Sequence, residues 1–229
     1  MISKQREFLR FMKILSDNEC LEHMVLTGSW AEYLYSELDI LPEYEANIRT
    51  PDVDFLVKNL KKPKQPISIV KLAQEEGMLV ETDCVNGITR IFDPNGLEIE
   101  FHIAKRGSGI ETAMETNLGV TAEALRHLDI LSRHTLITTY LGMKIEIPAP
   151  EAFAIHKMII NSERKDINEK DRLVINAMFP HLDQTAFEEI LNTLSKKDHR
   201  RVSDYMENHI ISEQQRKERI EAARANSRH

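Results

Sequence analysis

The sequence predicts an α+β fold, in which a mixed, mostly antiparallel sheet carries helices on one face and is followed by a C-terminal helical region. Three observations support this prediction. Short apolar segments with alternating polarity, typical of strands, occupy much of the chain before residue 148. The dipeptide Asn95-Gly96 separates two of them and is typical of a hairpin turn. From Pro150 onward the apolar residues follow helical spacing instead.

This change of periodicity near Pro148 predicts a domain boundary. Residues 1–148 would form the sheet-containing domain, and residues 149–211 would form a helical domain. The last segment, 212–229, has almost no apolar side chains, so we expect a polar tail or an exposed helix there.

The individual elements follow in chain order from the same patterns. Phe8 and Met12 lie at helical spacing, which predicts an amphipathic helix over residues 4–21. Ser29 is a favourable N-cap residue for a second helix over 30–38. The other predicted strands are 24–29, 50–57, 78–82, 87–92, 97–103, 135–140 and 143–147, and the other predicted helices are 67–76, 150–162, 168–179, 183–195 and 197–210.

Composition limits the class of protein. With 229 residues, 41% of them hydrophobic and 29% charged, the chain can bury a core of ordinary globular character. Its apolar runs are shorter than the roughly 20 residues of a membrane helix, and its first residues lack a secretory signal, so we expect no membrane partner. Only Cys20 and Cys84 are present, which favours a reducing, cytoplasmic location. The net charge of −7 argues against a broad surface for nucleic acid.

A pair of acidic residues lies within the predicted strand 50–57. Side chains alternate along a strand, so Asp52 and Asp54 project from one face while Val53 and Phe55 project from the other. Two neighbouring carboxylates repel each other, and a divalent cation allows both to stay ionised. Carboxylate oxygens are ligands that magnesium prefers, so the pair predicts a magnesium site.

The Gly28-Ser29 turn ends the first strand and begins a predicted helix. The first N–H groups of a helix have no partner inside it, and the helix dipole makes this end positive. Glycine also lets the backbone approach a ligand closely. The turn therefore suits an anionic group such as a triphosphate.

With this turn and this acid pair, the sequence resembles the nucleotidyltransferase fold superfamily related to polymerase beta. In that superfamily a Gly-Ser pair holds the nucleotide phosphates, and an Asp-x-Asp strand with a third acid binds magnesium. The sequence is most similar to a bacterial branch that includes abortive-infection-type toxins, in which an Arg-Thr/Ser-x-Asp-x-Asp strand precedes a helical lysine and a Lys-Asp pair. The resemblance spans about residues 24–175, and the corresponding segments are 49–54, Lys157 and Lys170-Asp171.

The resemblance implies a third acid on a strand antiparallel to the Asp-x-Asp strand. Alternation in the predicted strand 97–103 places Glu98, Glu100 and His102 on one face, and either glutamate fits. We prefer Glu100 as the third carboxylate, a metal ligand or catalytic base, because it immediately precedes an aromatic residue, as in the family pattern. Many members carry aspartate there, and His102 is interpreted as part of a solvated strand face.

The resemblance also implies which residues bind the nucleotide. Gly28 and Ser29 would hold its phosphates, and Lys157 would contact them from an otherwise apolar helix. Asp171 would help to position Lys157 or the nucleotide, although an acid at a helix N-terminus is stabilising in any protein. Arg49 is a candidate for contacting phosphate or forming a structural ion pair.

These residues together predict an enzyme. Two magnesium ions held by Asp52, Asp54 and Glu100 would bind an NTP, and a nucleoside monophosphate would pass to an acceptor hydroxyl with release of pyrophosphate. The alternative is a non-catalytic nucleotide-binding or regulatory module on the same fold. The acceptor, whether tRNA, a small molecule or a protein, is left open. A toxin role, implied by resemblance alone, would add an antitoxin partner.

Overall fold

The structure is a computed structural model that describes residues 2–46, 50–58, 63–105, 107, 112–164 and 168–211. The strands of this part of the chain are β1 (Met24–Thr27), β2 (Asp52–Val57), β3 (Leu79–Thr82), β4 (Thr89–Phe92), β5 (Glu98–Ala104), β6 (Ala113–Glu115), β7 (Thr121–Leu125), β8 (Thr135–Tyr140) and β9 (Met143–Pro148). Its α-helices are α1 (Ile2–Asp17), α2 (Gly28–Glu37), α3 (Ile69–Glu75), α4 (Leu128–Arg133), α5 (Pro150–Glu163), α6 (Glu169–Met178), α7 (Gln184–Asn192) and α8 (Lys196–Tyr205). Shorter helical turns are Leu21–His23, Phe179–His181 and Met206–Ile211.

Seven of these strands form one sheet. Its order is β1-β2-β5-β4-β3, with β7 paired to the end of β5 and β6 paired to β7. β2 and β7 run parallel to β5, whereas the pairs β1-β2, β3-β4, β4-β5 and β6-β7 are antiparallel. β8 and β9 form a separate hairpin that lies against β1. The prediction of a mixed, mostly antiparallel sheet is confirmed.

One face of the sheet holds the main hydrophobic core. The odd-numbered residues of β2 and β5, among them Phe55 and Phe101, are buried there, and their rings stack with centroids 6.1 Å apart. Helix α1 covers this face because residues such as Phe11 recur on one side of it, and the Phe11 ring lies 6.1 Å from that of Phe55. Phe8 of the same helix stacks on Trp30 of α2 at 3.9 Å. The predicted amphipathic first helix is thus confirmed.

The opposite face is polar where β2 and β5 begin and apolar further along. Val25 and Leu56 form a small buried cluster there with Leu128 and Leu131 of α4. Neither α4 nor the strands β6 and β7 before it are predicted from the sequence. These elements have six, three and five residues, too few to give a clear period.

The C-terminal helices follow the predicted pattern. Helices α5 to α8 correspond to the four predicted segments, and α5 begins at Pro150, a residue favoured in the first helical turn. The hydrophobic cluster that contains the sheet also includes residues of these helices, and the Tyr35 ring lies 5.8 Å from that of Phe153. The domain boundary near Pro148 stays a prediction. The predicted tail, 212–229, lies outside the described residues.

Three predictions about local structure need correction. The strand that carries Glu100 is parallel to β2, not antiparallel. Helix α2 begins at Gly28 with Thr27 in the N-cap position, so Ser29 is not the N-cap residue. Helix α1 ends at Asp17, before the predicted end at residue 21, and is followed by a separate helical turn.

The described helices include none that is both long and apolar enough to cross a membrane.

Candidate active site

The acids of β2 and β5 are brought together by the register of two neighbouring strands. Asp52 pairs with Glu98, and Asp54 pairs with Glu100, so all four side chains project from the polar face. Such direct neighbours in a sheet lie close enough for their side chains to interact. Glu98 and Glu100, the two candidates for the third carboxylate, therefore lie on the same face as the aspartates. Glu100 is the one beside Asp54.

A histidine completes this acidic group. His102 Nε2 lies 3.2 Å from Asp54 Oδ1 and 3.9 Å from Glu100 Oε2. The ligand atoms of Asp54, Glu100 and His102 all lie within 4.8 Å of one another. Asp52 is not among these three in the described part of the chain; it is half-buried two residues earlier in β2. His102 shares a strand face with Glu100 by simple alternation, and this is the signal that would have identified it.

Charges within the group shift two pKa values. Burial raises the pKa of Glu100, and the negative charge of Asp54 adds to the rise, while His102 opposes it. Burial lowers the pKa of His102, but its hydrogen bond with Asp54 and the nearby carboxylates outweigh this effect, so the net change is a rise. Burial therefore causes the rise in the pKa of Glu100, whereas the neighbouring carboxylates cause the rise in the pKa of His102.

Arg90 on β4 is the neighbouring cation. Its Nε lies 3.1 Å from Glu100 Oε1, and its Nη1 lies 3.6 Å from Glu98 Oε1. The antiparallel register pairs Arg90 directly with Glu100, which places the guanidinium on the polar face. The side chain is half exposed, so it limits the negative charge on both glutamates without closing the site.

Gly28 leaves room for the Asp54 carboxylate. A Cβ at residue 28 would overlap Asp54 Oδ2 and lie 3.0 Å from Asp54 Cγ. The φ of Gly28 is +66°, a left-handed conformation that other residues rarely adopt. Two features of the position, the space and the backbone angle, therefore require glycine.

The rest of the turn is tied to the chain that leads into β2. Ser29 Oγ and Thr50 Oγ1 form a hydrogen bond of 2.8 Å, and Thr27 Oγ1 donates to the Asp54 carbonyl at 3.2 Å. Thr27 makes no side-chain cap, so side-chain capping does not occupy the first N–H groups of α2. The positive end of this helix thus lies directly beside the acidic group. Arg49, the predicted phosphate contact, lies outside the described residues.

Comparison with known proteins places the chain in a family. A sequence model of the family described as "Nucleotidyltransferase" matches residues 6–197. The chain belongs to this nucleotidyltransferase family. The predicted superfamily and the prediction of an enzyme of this class are therefore confirmed.

No curated protein matches the sequence of this nucleotidyltransferase. Among solved structures it is similar to the crystal structure of an antigenic nucleotidyltransferase-like protein from Paracoccidioides brasiliensis, with 14% sequence identity and a TM-score of 0.41. The match covers 87% of this chain and 93% of that one.

In the helical region of the nucleotidyltransferase, Lys157 forms an ion pair with Asp171. Lys157 Nζ lies 2.6 Å from Asp171 Oδ1, and Arg164 Nη1 lies 2.9 Å from Asp171 Oδ2. Asn168 caps α6 by accepting a hydrogen bond from the Asp171 N–H at 3.1 Å. The lysine also lies over the Phe153 ring, 5.0 Å from its centroid. The structure thus brings Lys157 and Asp171 together, while the role of Asp171 in positioning Lys157 or the nucleotide stays a prediction.

We expect Asp171→Asn to lower the free energy of unfolding by about 3 kcal/mol, because it removes the buried partner of two cations, of which Arg164 is partly exposed. Lys157→Met keeps the packing against Phe153 and removes one of those cations. The double variant should therefore be more stable than the sum of the single effects predicts. Urea unfolding of the four proteins measures this coupling, and strictly additive effects would show that the pair contributes no interaction.

Proposed function

We propose that this protein is a magnesium-dependent nucleotidyltransferase that moves a nucleoside monophosphate from an NTP to an acceptor hydroxyl and releases pyrophosphate. One observation carries the proposal. Asp54, Glu100 and His102 gather on one sheet face, directly beside Gly28 at the N-terminus of α2. A cation site next to an anion-binding helix end is what a metal-bound triphosphate needs.

The donor atoms fit a divalent ion. Ligands of one magnesium ion lie about 2.1 Å from it, so two ligand atoms are at most about 4.2 Å apart. The ligand atoms of Asp54, Glu100 and His102 are already within 4.8 Å of one another, and small side-chain rotations would bring them within the distances that one ion allows. Asp52, on the same face and two residues before Asp54, would complete a site for two ions.

When bound, magnesium would neutralise charge on the triphosphate and favour displacement at its α-phosphorus. The residues of this chain would orient the reactants. Gly28 and Ser29 would present backbone N–H groups to the phosphates, and Lys157 would add a positive charge.

Glu100 would accept the proton of the acceptor hydroxyl. The acceptor oxygen would then form a bond to the α-phosphorus while the bond from that phosphorus to the bridging oxygen breaks. Pyrophosphate leaves with the electron pair of that bond, so atoms and charge balance.

The acceptor and the biological role are narrower proposals. The net charge of −7 favours a small molecule or a protein over tRNA as the acceptor. Resemblance supports a toxin role with an antitoxin partner, and the low cysteine content supports a cytoplasmic location.

Incubation of the protein with each α-labelled NTP, magnesium and a host lysate would test the proposal. We expect label in one of three fractions: RNA, protein or small molecules. The amount of pyrophosphate released should equal the amount of label transferred. The Asp52→Asn/Asp54→Asn double variant should transfer no label. If the wild type and the double variant bind NTP equally well and neither releases pyrophosphate, the result would favour the non-catalytic module instead.

A further inference from the structure

His102 distinguishes this metal site from one built of carboxylates alone. We propose that His102 Nε2 is a direct ligand of the bound ion and makes the site prefer Mn²⁺ to Mg²⁺. The inference rests on the proposed function, since it concerns the ion that would serve the same reaction.

The position of the ring supports direct ligation. His102 follows Glu100 by two residues in β5, and its Nε2 faces both Asp54 and Glu100, at 3.2 and 3.9 Å. Only 12% of the side chain is exposed, so the ring is held by its surroundings. The nitrogen therefore lies where an ion shared by the two carboxylates would meet it.

The second ring nitrogen of His102, Nδ1, faces a carboxylate that could accept a hydrogen bond from it. His102 pairs with Glu123 of β7 in the parallel register, and its Nδ1 lies 3.7 Å from Glu123 Oε2. Nδ1 is buried and makes no hydrogen bond in this arrangement. A shift of less than 1 Å would form the bond. A metal-binding histidine usually donates its other N–H to a carboxylate in this way, which fixes the ring and its tautomer.

The chemistry of the donors sets the preference. Magnesium favours oxygen ligands and keeps several waters, whereas imidazole suits transition ions. Among the first-row divalent ions, manganese shares with magnesium a preference for octahedral sites with carboxylate and water ligands, so the two ions compete for such a site. A set of two carboxylates and one imidazole should therefore gain more affinity for Mn²⁺ than for Mg²⁺.

Metal binding to the full chain, without nucleotide, tests the proposal. Free Mn²⁺ is measured by electron paramagnetic resonance, and Mg²⁺ affinity is measured by competition. We expect His102→Gln to weaken Mn²⁺ binding by at least about 10–100-fold, the loss typical when a residue that supports a metal ligand is removed, and Mg²⁺ binding by less than about threefold. His199→Gln, on α8, serves as the matched control and should change neither.

Spin-echo spectra of bound Mn²⁺ give a second measurement that does not depend on the variant folding. The wild type should show coupling to a histidine nitrogen, and Glu123→Gln should keep this coupling with weaker binding. Absence of the coupling in the wild type would overturn the proposal. So would tighter binding of both ions by His102→Gln, because the ring would then compete with the metal for the carboxylates.

These outcomes separate the two proposals. If nucleotide transfer depends on a divalent ion but His102→Gln leaves the ratio of Mn²⁺ to Mg²⁺ affinity unchanged, the preference is wrong and the proposed function stands. If the wild type binds neither ion without nucleotide, the proposal for His102 is wrong, and the proposed function fails as well if no transfer from an NTP depends on a divalent ion.

Discussion

Replacing Asp54 by asparagine is expected to lower the rate of nucleotide transfer by about 10²–10³-fold, the effect of removing one preorganised charge from an active site. Asp54 pairs with Glu100 in the register of β2 and β5, and its Oδ1 lies 3.2 Å from His102 Nε2. Asparagine keeps the shape and can still accept a hydrogen bond from the ring. We therefore expect the fold to survive and the metal affinity to fall.

Initial rates of transfer from an α-labelled NTP, with thermal unfolding alongside, would measure the effect. Glu81→Gln provides the matched control, because Glu81 is an exposed acid on the edge strand β3 of the same sheet. This control should transfer label at the wild-type rate. A rate for Asp54→Asn within about tenfold of the wild type would show that Asp54 has no catalytic role.

Replacing Gly28 by alanine is expected to abolish metal binding while lowering stability only moderately. The left-handed backbone of residue 28 costs about 1–2 kcal/mol for any other residue. The added methyl group would also overlap Asp54 Oδ2, and the flexible carboxylate would have to turn away from the site. The ligand geometry should therefore be lost, together with the space beside the first turn of α2.

Gly77→Ala is the matched control for this variant. Gly77 has a similar φ of +76°, but nothing lies within 4 Å of an added Cβ there. Both variants should lose a comparable free energy of unfolding in urea, and only Gly28→Ala should lose Mn²⁺ affinity in titration calorimetry. Equal metal affinity in the two variants would mean that glycine is needed at residue 28 only for its left-handed backbone, and not to leave space for the Asp54 carboxylate.

Most of the fold could be predicted because its periodic segments are local. The amphipathic first helix, the hairpin at Asn95-Gly96 and the C-terminal helices each show their own period, and the structure contains all of them. The segments missed are short. In β7, the buried side chains Ala122 and Ala124 give little hydrophobic contrast with their neighbours, so alternation there is hard to detect.

The candidate site could be predicted in part. Asp54 and Glu100 follow from alternation and resemblance, whereas His102 was interpreted as a solvated residue. The position of His102 differs from this interpretation because strand β7, with Glu123, lies beside the ring. The sequence does not predict β7, so it gives no sign that the ring is covered. The ligand role of Asp52 and the phosphate contacts of Lys157 stay predictions.

Alternation is a property of the local backbone, so the sequence alone shows which side chains share a strand face. Asp52 thereby shares a face with Asp54, and Glu98 with Glu100 and His102, and family resemblance connects the two sets. The folded structure adds that β2 and β5 are parallel neighbours in a register that pairs Asp54 with Glu100, and that Gly28 lies against the Asp54 carboxylate. Strand order and register depend on packing between residues distant in the chain, and no local pattern contains that information.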